Sequence, residues 1–242
     1  MSLSVAVKHR PELDPDFVPA SLWTKAFEEL AAKEGSRKVK IALLRPNGHG
    51  LAHDETLLPQ SQEWEPLNLR HLERCLKFLL WSYGGSRFVI SGADDLCPKL
   101  AEIYSASGER AFDVDFSKKL FGEPLTIDAV EESDFPQLED GDDGIGTELN
   151  ASGNRIGFDL GGSDRKCAAV IDGKVVFSEE VPWDPYFESD PDYHLEGIRD
   201  SLKLAAAHLP SVDAIGGSAA GVYVDNQVRV ASLFRGVPDD LF

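Results

Sequence analysis

Apolar positions recur along this chain with two periods, near 3.6 and near 2, and their alternation predicts an α/β protein. The first helix is expected from Ser21, which caps a face of Leu22, Ala26, Phe27 and Leu30 that ends at Gly35. Residues 39–44 read as a buried strand, Pro46-Asn47-Gly48 as a turn and residues 50–58 as the return strand. Asn68 is predicted to cap a helix carrying Leu69, Leu72, Leu76, Leu79 and Tyr83, stopped by Gly84-Gly85. A short strand follows over residues 88–91. After Gly92, Asp94 or Asp95 caps a helix with Leu100, Ile103 and Tyr104, in which Pro98 falls in the tolerant first turn. A helix over 116–121 and a strand over 125–127 complete a small α/β region, residues 37–130. Residues 1–20 are proline-flanked and read as an extended leader, so 1–36 is set apart as leader and first helix.

The pattern then breaks. Between Asp128 and Asp143 eight acids occur with no base, and glycines follow, so residues 131–153 read as an acidic, solvated linker. Periodicity returns as strand, glycine turn, strand, the Asp172-Gly173 hairpin and strand. A loop with Trp183, Tyr186 and Phe187 leads to a helix in which Leu195, Ile198, Leu202, Ala205 and Leu209 share a face, ended by Pro210. Residues 212–216 read as a parallel core strand entering a second small-residue loop, Gly216-Gly-Ser-Ala-Ala-Gly221. A hairpin turning at Asp225-Asn226 closes the order.

Charge narrows the partners. With 42 acidic against 24 basic residues, net −18, the surface repels polyanions, which excludes nucleic acid and an anionic membrane as expected partners. The single short N-terminal helix is no helix-turn-helix, and no apolar run reaches membrane-spanning length. Cys75, Cys97 and Cys167 are dispersed and unpaired in sequence. They argue against a disulfide framework or a thiolate zinc site and for a reducing, cytoplasmic setting.

Chemistry concentrates at Asp159-Leu-Gly161-Gly162-Ser163. A carboxylate precedes two residues without Cβ and then a hydroxyl, so backbone N–H groups can face an anion beside a metal-binding oxygen. Other candidates read as bland. His49 and His53 flank a turn without further ligands and are expected in solvent. Cys167 follows Lys166, which would activate a thiol, yet Cys-Ala-Ala-Val is the context of a buried hydrophobe. Trp183, Tyr186, Phe187 and Tyr193 suit either stacking on a sugar or anchoring a loop. Asp190 and Asp192 read as solvated charges.

The order over residues 154–242, with Asp-Leu-Gly-Gly-Ser at its first turn, resembles the opening lobe of the actin-like ATPase (ribonuclease H-like) superfamily. Within it the chain resembles the ROK family of sugar kinases and regulators. Asp159, Gly161, Gly162 and Ser163 match the phosphate motif, and residues 215–221 match the family's second glycine loop. The resemblance implies an α/β fold with a mixed sheet, preceded by the smaller α/β domain, and phosphoryl transfer from MgATP to a sugar hydroxyl. Asp159 would hold Mg²⁺ through water, Gly161, Gly162 and Ser163 the phosphates of ATP, and Gly221 and Ser232 the sugar. A homodimer is the expected assembly.

Three residues depart from the family's pattern. Ala220 stands for its Pro, Ser232 for its sugar-binding Asn, and Asp164 follows the phosphate-loop hydroxyl. The family's Asn-Asp catalytic base, Glu-x-Gly-His segment and Cys-rich zinc motif do not occur before Phe242. The chain is therefore expected to carry the phosphate-binding lobe but not the general base of a longer kinase. The alternative on the same scaffold is a non-catalytic sugar- or nucleotide-responsive binding protein. Residues 37–130 are expected to be an accessory domain or a diverged actin-like half touching nucleotide through Gly92.

Overall fold

The structure, a computed structural model, describes residues 3–138, 152–224 and 227–241. Most of the predicted acidic linker and the Asp225-Asn226 turn lie outside these residues. The chain divides into two compact units, Met1–Asp143 and Gly144–Phe242, each an α/β unit with a four-stranded mixed sheet.

The first unit contains α1 (Ala20–Glu34), β1 (Arg37–Leu44), β2 (Gly50–Leu57), α2 (Glu65–Tyr83), β3 (Arg87–Ser91), α3 (Cys97–Ile103), α4 (Ala111–Phe121) and β4 (Thr126–Ala129). Its sheet runs β2-β1-β3-β4, with β1 antiparallel to both neighbours and β4 parallel to β3. Burial on both faces explains the continuous apolar run of β1, where Val39, Ile41, Ala42 and Leu43 are all buried.

Helix faces shift from the sequence expectation. In α1 the buried set is Trp23, Phe27 and Ala31, and Leu22 is exposed. Ser21 lies inside the helix, whose N-cap is Pro19. Asn68 is likewise no cap, since α2 starts three residues earlier. The Asn68 side chain is buried, accepting from the Leu58 N–H (2.9 Å) and donating to the Leu58 carbonyl (3.1 Å). It thereby satisfies backbone that leaves the edge strand β2. Asp95 serves as a two-pronged partner of Arg37 rather than a cap, at 2.6 and 2.9 Å.

The second unit contains β5 (Asn154–Leu160), β6 (Asp164–Ile171), β7 (Lys174–Pro182), α5 (Pro191–Ala206), β8 (Ala214–Ala219), β9 (Val222–Val224) and β10 (Gln227–Val230). Its sheet order is β7-β6-β5-β8, an antiparallel three-strand meander joined through α5 to a strand parallel to β5. This is the topology expected of an actin-like lobe. The first unit does not repeat it, because there the third strand runs antiparallel to the first. Gly92 has a structural role: at φ +86°, a Cβ there would collide with the Lys38 carbonyl.

α5 packs on β5 and β6. Its buried face is His194, Gly197, Ser201 and Ala205, one position off the predicted leucine face, and Leu195 is exposed. Arg165 of β6 causes the shift. Its guanidinium lies between sheet and helix, donating to the Gly197 carbonyl (2.8 Å) and Ser201 Oγ (3.0 Å). Asp190 accepts from the Asp192 N–H at 3.0 Å and so caps this helix instead of sitting free in solvent.

Candidate functional site

The register of the second sheet places one polar rung across all four strands. Ser218 of β8 lies opposite Asp159 of β5, Asp159 opposite Lys166 of β6, and Lys166 opposite Glu180 of β7. Residues directly opposite share a face, and this is the face away from the α5-side residues Ile156, Cys167 and Ala169. Ser218 Oγ donates to Asp159 Oδ1 at 2.5 Å, and Lys166 Nζ stands 4.0 Å from Glu180 Oε2. Two positions back along the strands, the next rung on this face is Gly216, Gly157, Ala168 and Ser178. Gly157, Ala168 and Ser178 line an open groove of about 470 Å³ together with Asp159, Lys166 and Glu180. A Cβ on Gly157 or Gly216 would meet nothing. Packing does not require either glycine, and their effect is to leave space.

The turn Gly161-Gly162-Ser163 leaves the carboxyl end of β5. The bend at Ala220-Gly221 leaves the carboxyl end of the parallel β8 beside it, since Leu160 pairs with Ala219. Ligands of open α/β sheets bind at such adjoining carboxyl ends. Gly221 is tight against Val230 and Ala231, which sets it next to Ser232 at the start of a short 3-10 turn. Asp159, Gly161, Gly162, Ser163 and Gly221 thus gather at one end of the sheet, with Ser232 adjoining Gly221.

The local bonding departs from the expected anion nest. Gly161 spends its N–H on the Asp164 carbonyl (2.8 Å), which leaves Gly162 and Ser163 as the loop N–H groups outside that bond. Ser163 Oγ donates to Asp164 Oδ2 at 2.9 Å rather than pointing outward, and Lys166 Nζ bonds the other Asp164 oxygen. Lys166 first and then Ser163 hold the Asp164 carboxyl below the usual carboxylate range, and Asp164 in turn raises Lys166. The Asp164 carboxylate is thus paired within the turn, with Lys166 and Ser163.

The aromatic loop proves to be the anchor of this turn. Trp183 donates its backbone N–H to the Ser163 carbonyl (3.1 Å) and its indole N–H to the Gly161 carbonyl (2.8 Å). A Cβ on Gly162 would overlap the Tyr186 hydroxyl, and Arg235 lies over the Tyr186 ring at 4.2 Å. Phe187 remains exposed. Behind the loop, buried His194 brings Nε2 to the carbonyls of Pro185 (3.1 Å) and Leu233 (2.9 Å), tying three segments together.

The second glycine segment is not a loop. Residues 214–219 are strand throughout, and Gly217 is required there because a Cβ would overlap the ring of Phe158, its partner on β5. Cys167 is buried in the small core between α5 and the sheet, and burial raises its thiol, which is the hydrophobe of the two readings. Sequence reasoning missed Lys166, Ser218 and Glu180. The period-two spacing of Asp164, Lys166 and Ala168 shows a shared face, but only strand order shows that it is Asp159's face.

Among the described residues no helix is long and apolar enough to cross a membrane. No family model matches the chain, and no curated protein matches it. Among solved structures it is similar to a Ppx/GppA family member of Aquifex aeolicus, at 14% identity over 76% of this chain, with a TM-score of 0.21. It is also similar to an exopolyphosphatase from Cytophaga hutchinsonii, at 9% identity, 76% of this chain, 63% of that one and a TM-score of 0.21. The chain spans 62% of the length of the first. The sugar-kinase expectation rests on the sequence motif alone. What the strand order itself establishes is an α/β unit with a four-stranded mixed sheet.

Proposed function

We propose that the second unit is the phosphate-binding lobe of a phosphoryl-transfer protein, taking the phosphate chain of a nucleotide together with a divalent cation. The observation that supports this is the conjunction of the Ser218-Asp159-Lys166 rung with a floor of small residues and a turn pinned by Trp183. Asp159 supplies a hard, partly exposed carboxylate of the kind that holds Mg²⁺ with water completing its shell. Gly157 and Gly216 leave room beside it that side chains would fill. When bound, the cation would neutralise charge on the transferring phosphate. The chain's own residues orient: Lys166 lies opposite Asp159 on the same face, and the Gly162-Ser163 turn sits at the end of β5.

The finer reading, a ROK-like kinase passing the phosphoryl group to a sugar held by Gly221 and Ser232, is supported by the motif and by the proximity of those two residues. It is weakened because residues 216–219 of its second glycine loop are strand β8 rather than loop. The non-catalytic alternative predicts binding without turnover. Titration of the protein with MgATP, read by tryptophan fluorescence because Trp183 holds the turn, tests the common core of these readings. Saturable quenching that is lost in Asp159→Asn is expected. Binding unchanged in that variant, or absent from the wild type, overturns the proposal. Transfer of labelled phosphate to a sugar, or its release into water, separates the acceptors.

A further inference from the structure

The first unit holds a second constellation, built by two periodicities that meet. His53 and Glu55 are two apart on β2 and share its inner face, and His71 and Cys75 are four apart on α2 and share one stripe. α2 packs on β2, and the four side chains converge at a cavity of about 640 Å³. The ligand atoms of His53, Glu55 and Cys75 lie within 4.8 Å of one another. His53 Nε2 is 3.5 Å from Glu55 Oε2, and His71 Nε2 is 3.3 Å from Glu55 Oε1. Glu55 is thus flanked on both oxygens by imidazole nitrogen.

Glu55 Oε1 also accepts the Thr56 N–H at 2.8 Å, and packing sets the imidazole opposite it. The His71 side chain is only 8% exposed, and its Nε2 makes no aligned hydrogen bond despite its closeness to Glu55. The ring is fixed by stacking on Phe27, with centroids 4.1 Å apart and planes at 7°. Packing thus aims its nitrogen at Glu55. Cys75 sits beside a carboxylate, where a thiolate is disfavoured unless a cation joins it. Of the three basic side chains lining the cavity, Arg110 is bonded to Glu73 (2.6 Å), Lys77 lies by Asp113 (3.5 Å) and Arg74 is exposed.

We propose that His53, Glu55 and Cys75, with His71 adjoining through Glu55, form a binding site for a divalent late transition metal of the zinc class. An imidazole, a carboxylate and a thiolate are zinc donors that leave a fourth position for water or His71, and the soft thiolate disfavours Mg²⁺ and Ca²⁺. Coordination replaces the Cys75 thiol proton, which is released to solvent. The thiolate and the Glu55 carboxylate then match the charge of the cation, and His71 holds the second Glu55 oxygen. The site ties the edge strand β2 to α2 from within. It is independent of the phosphate site.

Cobalt is the probe. The full chain titrated with Co²⁺ is expected to bind one ion per chain, with a thiolate-to-metal charge-transfer band and the visible bands of tetrahedral cobalt, and Zn²⁺ should bleach both. Cys75→Ser should abolish the charge-transfer band. His53→Ala should weaken Co²⁺ binding at least about tenfold. His53 is half exposed, so its replacement leaves the fold intact by circular dichroism and keeps the test valid if Cys75→Ser misfolds. Cys167→Ser should change nothing. Absence of Co²⁺ binding in the wild type, or a spectrum and affinity unmoved by both Cys75→Ser and His53→Ala, overturns the site.

Discussion

The indole N–H of Trp183 reaches 2.8 Å to the carbonyl of Gly161, across 22 residues of sequence. A second bond from the Trp183 backbone to Ser163 makes the contact two-pointed, so one residue braces both ends of the glycine turn. The Trp183 ring in turn lies against Gly197 of α5, where a Cβ would come within 3.0 Å of it. Turn, aromatic loop and helix therefore form one packed unit. The turn at the end of β5 is held from behind while its front stays open.

Trp183→Phe keeps the ring and removes the donor. Unfolding of the second unit in urea should show a loss of about 1 kcal/mol, the net worth of one such bond. MgATP affinity should fall as well, because Gly161 then lacks its brace. A variant with reduced stability and undiminished affinity would show that the brace does not set the turn's geometry.

Gly162→Ala should displace Tyr186, whose hydroxyl occupies the space a Cβ would take. The expected cost is about 1–3 kcal/mol, typical of overpacking. In a Tyr186→Ala background the same substitution should be nearly neutral. The double-mutant cycle measures that coupling, and additive effects would mean that the clash is relieved elsewhere.

Gly157→Val makes the opposite separation. A Cβ at Gly157 meets nothing, so stability should stay within about 0.5 kcal/mol of the parent in a melting experiment. The added branches fill the groove floor beside Asp159, and ligand binding should be lost. Retained MgATP affinity would place the ligand elsewhere.

Cys97 supplies a pH dependence in the first unit. Its thiol is buried and bonded to the Ala93 carbonyl at 3.4 Å, and burial first, then Asp94, pushes it from 9.0 up to about 11. A raised pKa favours the protonated folded state, so the contribution is full below the unfolded value and is lost as pH rises through the folded one. Between about pH 9 and pH 11 the wild type should lose on the order of 2 kcal/mol relative to Cys97→Ala. Tyr104, also raised by burial, contributes alike in both proteins and cancels in the comparison. Parallel stability curves for the two would contradict this.

Local rules, which residues and their neighbours alone satisfy, carried much of this protein. The apolar run of β1, the strands β2, β5 and β6, the Asp172-Gly173 hairpin and the stop of α2 at Gly84 all follow from local side-chain pattern and backbone freedom. The Asp159 turn was legible for the same reason, since its residue types sit consecutively. What tertiary structure decided was which face and which partner. Helix stripes moved by one position because Arg165 under α5 selects a polar face, and because Trp23 rather than Leu22 turns into the core. Gly217 went into a strand because Phe158 lies across from it. Lys166 and Ser218 joined Asp159 only through strand register, and His53 and Glu55 met His71 and Cys75 only because α2 lies on β2. Sequence periodicity says which residues share a face. Only packing says which face meets which, because that depends on atoms distant in the chain competing for the same space.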